Sequence, residues 1–292
     1  EHWEWDHGGD NYVTLIDPND LDTMYLEGIG GSMARKNLET GKARGIRPGP
    51  VPDGKRLRFN WMTPFILSHY DSKTLYAGAN MLFKSENRGD KWTCISPDLS
   101  SNPGPERKGN VPFGTITDIS ESALKKGLLY AGTDDGQLHV TRDDGATWTK
   151  INNGLPNRWV SRVVASKYDE SKVFVSLTGY REDDFEAYLY MSTDFGETWK
   201  SIVNNMPSES INVIREDPTD KDILYVGTEL GAYCSIDKGK TWHSLCKTLP
   251  TCAVHDLALH AGTGDLVAGT HGRSAFVLHA KQIQKMKQEM AK

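Results

Sequence analysis

Thr141-Arg-Asp-Asp-Gly145-Ala-Thr-Trp148 decides the reading of this chain, because the same phrase occurs three more times. The other copies are Ser85-Glu-Asn-Arg-Gly89-Asp-Lys-Trp92, Ser192-Thr-Asp-Phe-Gly196-Glu-Thr-Trp199 and Ser235-Ile-Asp-Lys-Gly239-Lys-Thr-Trp242. Successive tryptophans are 56, 51 and 43 residues apart. That spacing marks an internal repeat the size of one supersecondary unit.

A short apolar phrase ending in small residues precedes each copy. These are Leu75-Tyr-Ala-Gly78, Leu129-Tyr-Ala-Gly-Thr133, Val173-Phe-Val-Ser176 and Leu224-Tyr-Val-Gly-Thr228. Met24-Tyr-Leu-Glu27 and Leu266-Val-Ala-Gly-Thr270 are two further copies that lack the tryptophan phrase. Turns such as Asp17-Pro18 and Asp217-Pro218 lie before them, where Pro presets φ and Asp bonds its own backbone. Each unit reads as four strands, a to d. In the fifth unit they fall at about 210–216, 223–228, 231–236 and 241–246, with the tryptophan phrase as the c–d turn.

Four short strands per unit make a β-propeller blade, which buries its two faces only by stacking against neighbours. The expected fold class is all-β: a propeller of four-stranded blades with six repeat units, either six-bladed or part of a seven-bladed ring. Expected units are 1–50, 51–104, 105–156, 157–208, 209–250 and 251–280, followed by a helical tail at 281–292. The last unit has strands at about 253–259, 265–269 and 274–279 but no tryptophan phrase and no strand d. Residues 1–5 are the expected outer strand for it, or else residues 1–10 form a loop and the ring is completed by other blades or another chain. Ile283, Met286 and Met290 recur at helical spacing in the tail, which reads as a frayed surface helix in preference to one that caps an edge or docks on a partner.

Composition agrees. The 292 residues are 37% hydrophobic and include 28 Gly and 8 Trp, and mean hydropathy is −0.54. Many short, half-exposed strands explain such values, and one body of six units explains the length. The net charge of −5, with 34 basic and 39 acidic residues intermixed, argues against a nucleic-acid partner. No run of apolar residues is long enough for a membrane span, and no apolar h-region follows Glu1, so the chain is expected to be a mature form, a cytoplasmic protein or a fragment. Cys94, Cys234, Cys246 and Cys252 form no CxxC motif and read as reduced thiols, with Cys246 and Cys252 close enough in sequence to bridge a loop. No cofactor is implied. His255 and His260 are poorly spaced for a metal, and none is expected.

The phrase itself has a local logic. Asp143, Asp194 and Asp237 accept backbone N–H bonds across the turn. Gly145, Gly196 and Gly239 permit positive φ. The Thr ties the turn back, and Trp148, Trp199 and Trp242 pack between blades. The first copy carries Asn87 and Lys91 around Gly89 and Trp92, so its turn should be the weakest. This phrase resembles the Asp-box of the BNR repeat family, found in sialidases, tandem-propeller xyloglucanases, sortilin-type receptors and a photosystem II assembly factor. Arg58-Phe-Asn-Trp-Met-Thr-Pro64, Leu82–Trp92 with Ile95-Ser-Pro-Asp-Leu99, and Gly269-Thr-His-Gly-Arg-Ser274 resemble a bacterial group of sortilin-like, "glycosyl hydrolase-like" BNR/YVTN propeller proteins. The resemblance implies the propeller fold, an exported and extracytoplasmic location, and a position in the C-terminal half of a longer chain.

Blade topology sorts the loops. The d–a and b–c connections share one face, where propeller ligands sit. Two stretches stand out there: residues 47–64, and an insertion at 178–187. The ligand-binding candidates are Arg58, Asn60, Trp61, Arg181, Glu229, His271 and Arg273. Weak catalytic candidates are Asp134, Asp135, Asp183 and Asp184, since two carboxylates at glycosidase spacing hydrolyse a glycosidic bond. The leading expectation is a non-catalytic binding propeller for a protein or glycan partner. The alternatives are a glycoside hydrolase-like enzyme, or half of a tandem-propeller one, and an assembly factor resembling the photosystem II type.

Overall fold

The structure is a computed structural model, and it describes residues 10–51, 54, 56–104, 111–246, 249–279 and 281–290. The chain divides into two compact units, Glu1–Asn152 and Asn153–Lys292, so the division falls between the third and fourth repeats. The roles expected of residues 1–9 lie outside the described residues.

The first unit holds three four-stranded antiparallel sheets. Blade 1 comprises β1 (Asn11–Asp17), β2 (Asp20–Gly28), β3 (Ser32–Asn37) and β4 (Ala43–Gly45). Blade 2 comprises β5 (Phe65–Leu67), β6 (Leu75–Gly78), β7 (Leu82–Ser85) and β8 (Thr93–Cys94). Blade 3 comprises β9 (Ile116–Glu121), β10 (Leu129–Thr133), β11 (Leu138–Thr141) and β12 (Thr149–Lys150).

In the second unit, blade 4 comprises β13 (Trp159–Ala165), β14 (Val173–Gly179), β15 (Asp184–Ser192) and β16 (Lys200–Ser201). Blade 5 comprises β17 (Ile211–Glu216), β18 (Leu224–Thr228), β19 (Ala232–Ser235) and β20 (His243–Ser244). Blade 6 has three described strands, β21 (Val254–His260), β22 (Asp265–Thr270) and β23 (Ala275–His279). Helix α1 (Lys281–Met290) follows. These are six β-propeller blades, as the repeat predicts.

Strand b of blades 2 to 5 is buried along its whole length. Its side chains fill cores shared with the next blade. Tyr76 and Leu82 of blade 2 pack with Ile116, Ile119 and Leu129 of blade 3. Phe174 and Leu189 of blade 4 pack with Ile211, Ile214 and Leu224 of blade 5. The small residues that end strand b have a steric cause: a Cβ on Gly227 would lie 2.7 Å from both Val213 and Val254. Polar latches add to this packing. The Ser68 hydroxyl and His69 N–H donate to Glu121, and the Ser166 hydroxyl and Lys167 N–H donate to Glu216.

The tryptophan turns behave as expected. Asp143 Oδ1 accepts from the Thr147 N–H and the Thr141 hydroxyl, and Oδ2 accepts from the Thr147 hydroxyl. Asp194 and Asp237 repeat the set. Hydrogen bonds from Ser192 and Thr198 pull the Asp194 pKa down to about 2. In the first copy, the Lys91 N–H still reaches Asn87 Oδ1 at 2.8 Å, but Lys91 has no hydroxyl to make the third bond. The residue before each Gly is also left-handed, at Arg88, Asp144, Phe195 and Lys238.

A feature the sequence reading does not anticipate fixes the turn to the preceding blade. Trp92 Nε1 donates to Ile46 O at 2.6 Å, Trp148 Nε1 to Ile95 O at 2.8 Å, and Trp242 Nε1 to Ile202 O at 2.7 Å. The turn glycine lies over the same residue. A Cβ on Gly145 would sit 2.5 Å from Ile95 O, and one on Gly89 would sit 2.8 Å from the Ile46 side chain.

Helix α1 is docked rather than frayed, which corrects the expectation for the tail. Ile283 is 5% exposed and belongs to the core of blades 5 and 6, with Met286 packed against it. Lys287 Nζ bridges Asp220 and Asp222 at 2.7 and 2.9 Å. The four cysteines are free thiols, Cys234 and Cys252 buried and Cys94 and Cys246 half-buried.

Gly145→Ala combines a positive φ of 92° with the clash on Ile95. It should destabilise by about 2–4 kcal/mol. Gly154→Ala, at φ 82° with open space around it, should cost only about 1–2 kcal/mol. Urea unfolding of the two variants checks the difference. Ile283→Ala should cost about 2–4 kcal/mol in the same assay if α1 is part of the core.

Candidate functional site

Strand a carries the same irregularity in five of the six blades. The pairing with strand b skips one residue, at Tyr12, Thr117, Ser161, Asn212 and His255. Such β-bulges re-aim a side chain away from the ladder. In the second unit, two of them tie consecutive blades. Ser161 Oγ donates to Ile211 O at 2.8 Å, and Asn212 Nδ2 reaches Val254 O at 3.4 Å. The third, His255, has its ring 5.4 Å from that of His271.

Around His255 the second unit gathers several polar and aromatic groups. Glu229 Oε1 accepts from Asn212 Nδ2 at 3.0 Å. Arg181 lies 4.1 Å over the Trp159 ring. Asp256 is held by Arg215 at 2.6 Å and faces Arg162 at 3.8 Å. His255 is solvent-accessible yet walled by protein. That desolvation, with His271, Arg162 and Arg181 close by, holds its pKa below the usual histidine value, while Glu229 pulls the other way. Three of the sequence candidates, Arg181, Glu229 and His271, are thus brought together. Arg273 is exposed.

The 178–187 insertion is a lengthened β14–β15 hairpin with a 3-10 turn at Tyr180–Glu182. Asp183 caps the turn in a left-handed conformation. Asp184 accepts from Arg158 Nε at 2.7 Å and from the Tyr188 hydroxyl at 2.8 Å, and Glu182 lies 3.5 Å from the same guanidinium. These bonds overcome its desolvation and keep the Asp184 pKa below the usual carboxylate value. At the hairpin tip, the rings of Tyr180 and Phe185 meet edge to face at 5.8 Å. Both are 50% exposed, and so is Leu230 (52%) in the b–c turn of blade 5.

In the first unit, the candidates hold the scaffold together. Arg58 donates to Asp98 and Ser100 at 2.8 Å each and to Gly114 O at 3.1 Å. Buried Asn60 donates to Thr115 and Asp134. Trp61 is half-buried, and its carbonyl accepts from Gly30 N–H. Asp134 (4% exposed) accepts from the Gly114 and Thr115 N–H groups and the Thr115 hydroxyl. Asp135 (8% exposed) accepts from Ser101 and Thr133. Glu27 stands where blades 2, 3, 5 and 6 have a strand-b glycine. It is fully buried, Oε1 accepting from Thr63 N–H and Oε2 having no partner among the described residues. Burial pushes its pKa up to about 8 and that of Asp134 up to about 6. Among the described residues, no group of three or more His, Cys, Asp or Glu is arranged to hold a metal.

The sequence resembles known proteins over part of its length. A family model described as Sortilin-Vps10 (sortilin, neurotensin receptor 3), a BNR-type propeller family, matches residues 136–257. The xyloglucanase Xgh74A of Acetivibrio thermocellus is 28% identical over 40% of this chain and 16% of its own. Among solved structures, the GH74 xyloglucanase of Xanthomonas campestris superposes with a TM-score of 0.65 at 17% identity. That match covers 91% of this chain and 44% of the enzyme. The extracellular domain of a putative one-component system from B. thetaiotaomicron gives a TM-score of 0.61 at 17% identity, covering 92% of this chain and 32% of its own. The chain spans well under two-thirds of each of these relatives.

The buried acids Glu27 and Asp134 bind protons more tightly in the folded chain than in the unfolded one. Stability from them is complete below the unfolded carboxyl range near pH 4. It is lost as pH rises through about 6 and then about 8. The melting temperature should therefore fall between pH 5 and 8.5. Glu27→Gln should remove roughly 5 °C or more of that fall, spread over the interval from about pH 4.5 to 8 in which the unfolded carboxyl is ionised and the buried one is not. An unchanged slope in Glu27→Gln contradicts the assignment. Taken with the blades, the chain has a β-propeller fold, and residues 136–257 are similar to the Sortilin-Vps10 family.

Proposed function

We propose that this chain is a non-catalytic, extracytoplasmic binding propeller that takes a glycan on the d–a/b–c face of its second unit. One observation supports the reading: among the described residues, the acids whose pKa burial raises most are sealed, and Glu182 and Asp184 on the hairpin are tied to Arg158. Hydrolysis of a glycosidic bond needs a general acid with a raised pKa at the sugar. Burial raises Glu27, Asp134 and Glu216, but all three are at most 4% exposed and hydrogen-bonded. Asp184 and Glu182 share Arg158, and the Asp184 pKa is lowered.

What remains free on that face suits binding. Trp159, Tyr180 and Phe185 offer ring surfaces for sugar faces, and Arg181, Glu229, His255 and His271 offer polar groups for hydroxyls. The relatives named as xyloglucanases support a carbohydrate over a protein ligand. They also support the second reading, in which the chain supplies one side of a hydrolase site completed by a longer protein, because it spans only 44% of one such enzyme.

Titration calorimetry with xyloglucan oligosaccharides, preceded by a glycan-array screen, tests the proposal. Trp159→Ala and Arg181→Ala should each weaken binding about tenfold or more. No reducing sugar should be released by the unaltered chain. Release that Asp183→Asn or Asp184→Asn abolishes would establish the hydrolase reading instead.

A further inference from the structure

The tryptophan turn of blade 2 departs from its three siblings, and a cavity lies beside it. The cavity measures about 740 Å³ and lies between the outer strands β4 and β8. That size is within the range of small-molecule sites. Ile46, Met81, Phe83 and Trp92 supply its apolar surface. Met81 and Phe83 are buried core residues, and Trp92 is fixed by its bond to Ile46 O, so the floor is rigid.

The charges around it are unbalanced. Arg44, Arg47 and Lys91 line the cavity against one acid, Asp90. Asp90 is already shared by Arg35 and Arg44, at 3.2 and 2.8 Å. Arg47 and Lys91 have no carboxylate partner among the described residues. Arg47 is oriented instead by the Phe59 ring, 4.4 Å below its guanidinium. A cation placed by stacking keeps its N–H donors for something else.

The sequence departure has the same sense. In the other three turns an Asp accepts from a Thr, and both side chains are used up by the turn. Here Asn87 removes one negative charge and Lys91 adds one positive charge. The lysine replaces the tying hydroxyl and lines the cavity. The local cost of a weaker turn and the local gain in positive charge occur at one place.

We infer that this cavity is a second ligand site, separate from the open-face site and built for an amphipathic organic anion. Its ligand has an apolar body for the Trp92–Phe83 floor and one carboxylate, sulfonate or phosphate for Arg47 and Lys91. Each charge-assisted contact in a partly desolvated site is worth about tenfold in affinity.

Two probes that share a body test this: 1-anilinonaphthalene-8-sulfonate, and N-phenyl-1-naphthylamine, which lacks the sulfonate. The sulfonate should bind about tenfold tighter or more by fluorescence titration. Arg47→Gln and Lys91→Thr should each weaken it severalfold, leaving the neutral probe unchanged. Lys91→Thr with Asn87→Asp restores the sibling turn, so this variant should fold at least as well as the parent while losing the anion preference. Saturating sulfonate should also slow alkylation of Cys94, which lines the cavity, and leave Cys246 unaffected. Equal binding of the two probes, unchanged affinity in the restored-turn variant, or an unprotected Cys94 would overturn the inference.

Discussion

One hydrogen bond organises much of this structure: the indole N–H of a turn tryptophan donating to a backbone carbonyl of the preceding blade. It is made by Trp92, Trp148 and Trp242 to Ile46, Ile95 and Ile202. The turn glycine closes over the same residue without room for a Cβ. A carbonyl just past the last strand of a blade has no sheet partner on that side, and leaving it unsatisfied under a packed ring is costly. The tryptophan satisfies it and buries its own ring in the same step. The Ser, Asp and Thr of the phrase shape the turn so that the ring arrives correctly.

With the blades fixed from outside by that contact and from inside by strand b, the loops of the open face are free to differ. The first unit spends its polar residues there on internal ties around Asp98, Asp134 and Asp135. In the second unit, aromatic and cationic groups gather beside the His255 bulge. Exceptions to the repeat are informative. Glu27 takes a glycine's place and becomes a buried acid without a full set of partners. Asn87 and Lys91 loosen a turn and leave a cation at a cavity.

Much of the fold was legible because it rests on short-range chemistry that repeats. The strands expected at 210–216, 223–228 and 253–259 are found at Ile211–Glu216, Leu224–Thr228 and Val254–His260. The docking of the turn was less visible, although its trace is present: Ile95, Ile151, Ile202 and Leu245 each lie three residues beyond a turn tryptophan. The site was legible only by face. Topology places Arg58 and Asn60 on the loops of the open side, but cannot reveal that their donors are already taken by Asp98, Ser100 and Thr115. His255 escaped because a bulge shifts the strand alternation by one residue, and only alignment of strand a across blades exposes it. The helix at Lys281–Met290 was visible as a pattern, while its anchorage depends on Asp220 and Asp222, some 65 residues away.

The contact between turn and preceding blade can be tested by Trp148→Phe, which keeps most of the ring and removes the one N–H that reaches Ile95 O. Urea unfolding should show a loss of about 1–3 kcal/mol, with amide hydrogen exchange accelerated in blades 2 and 3 together. Stability and exchange equal to those of the parent would mean that ring packing alone holds the blades, and that the indole-to-carbonyl bond is not the constraint on which the structure depends.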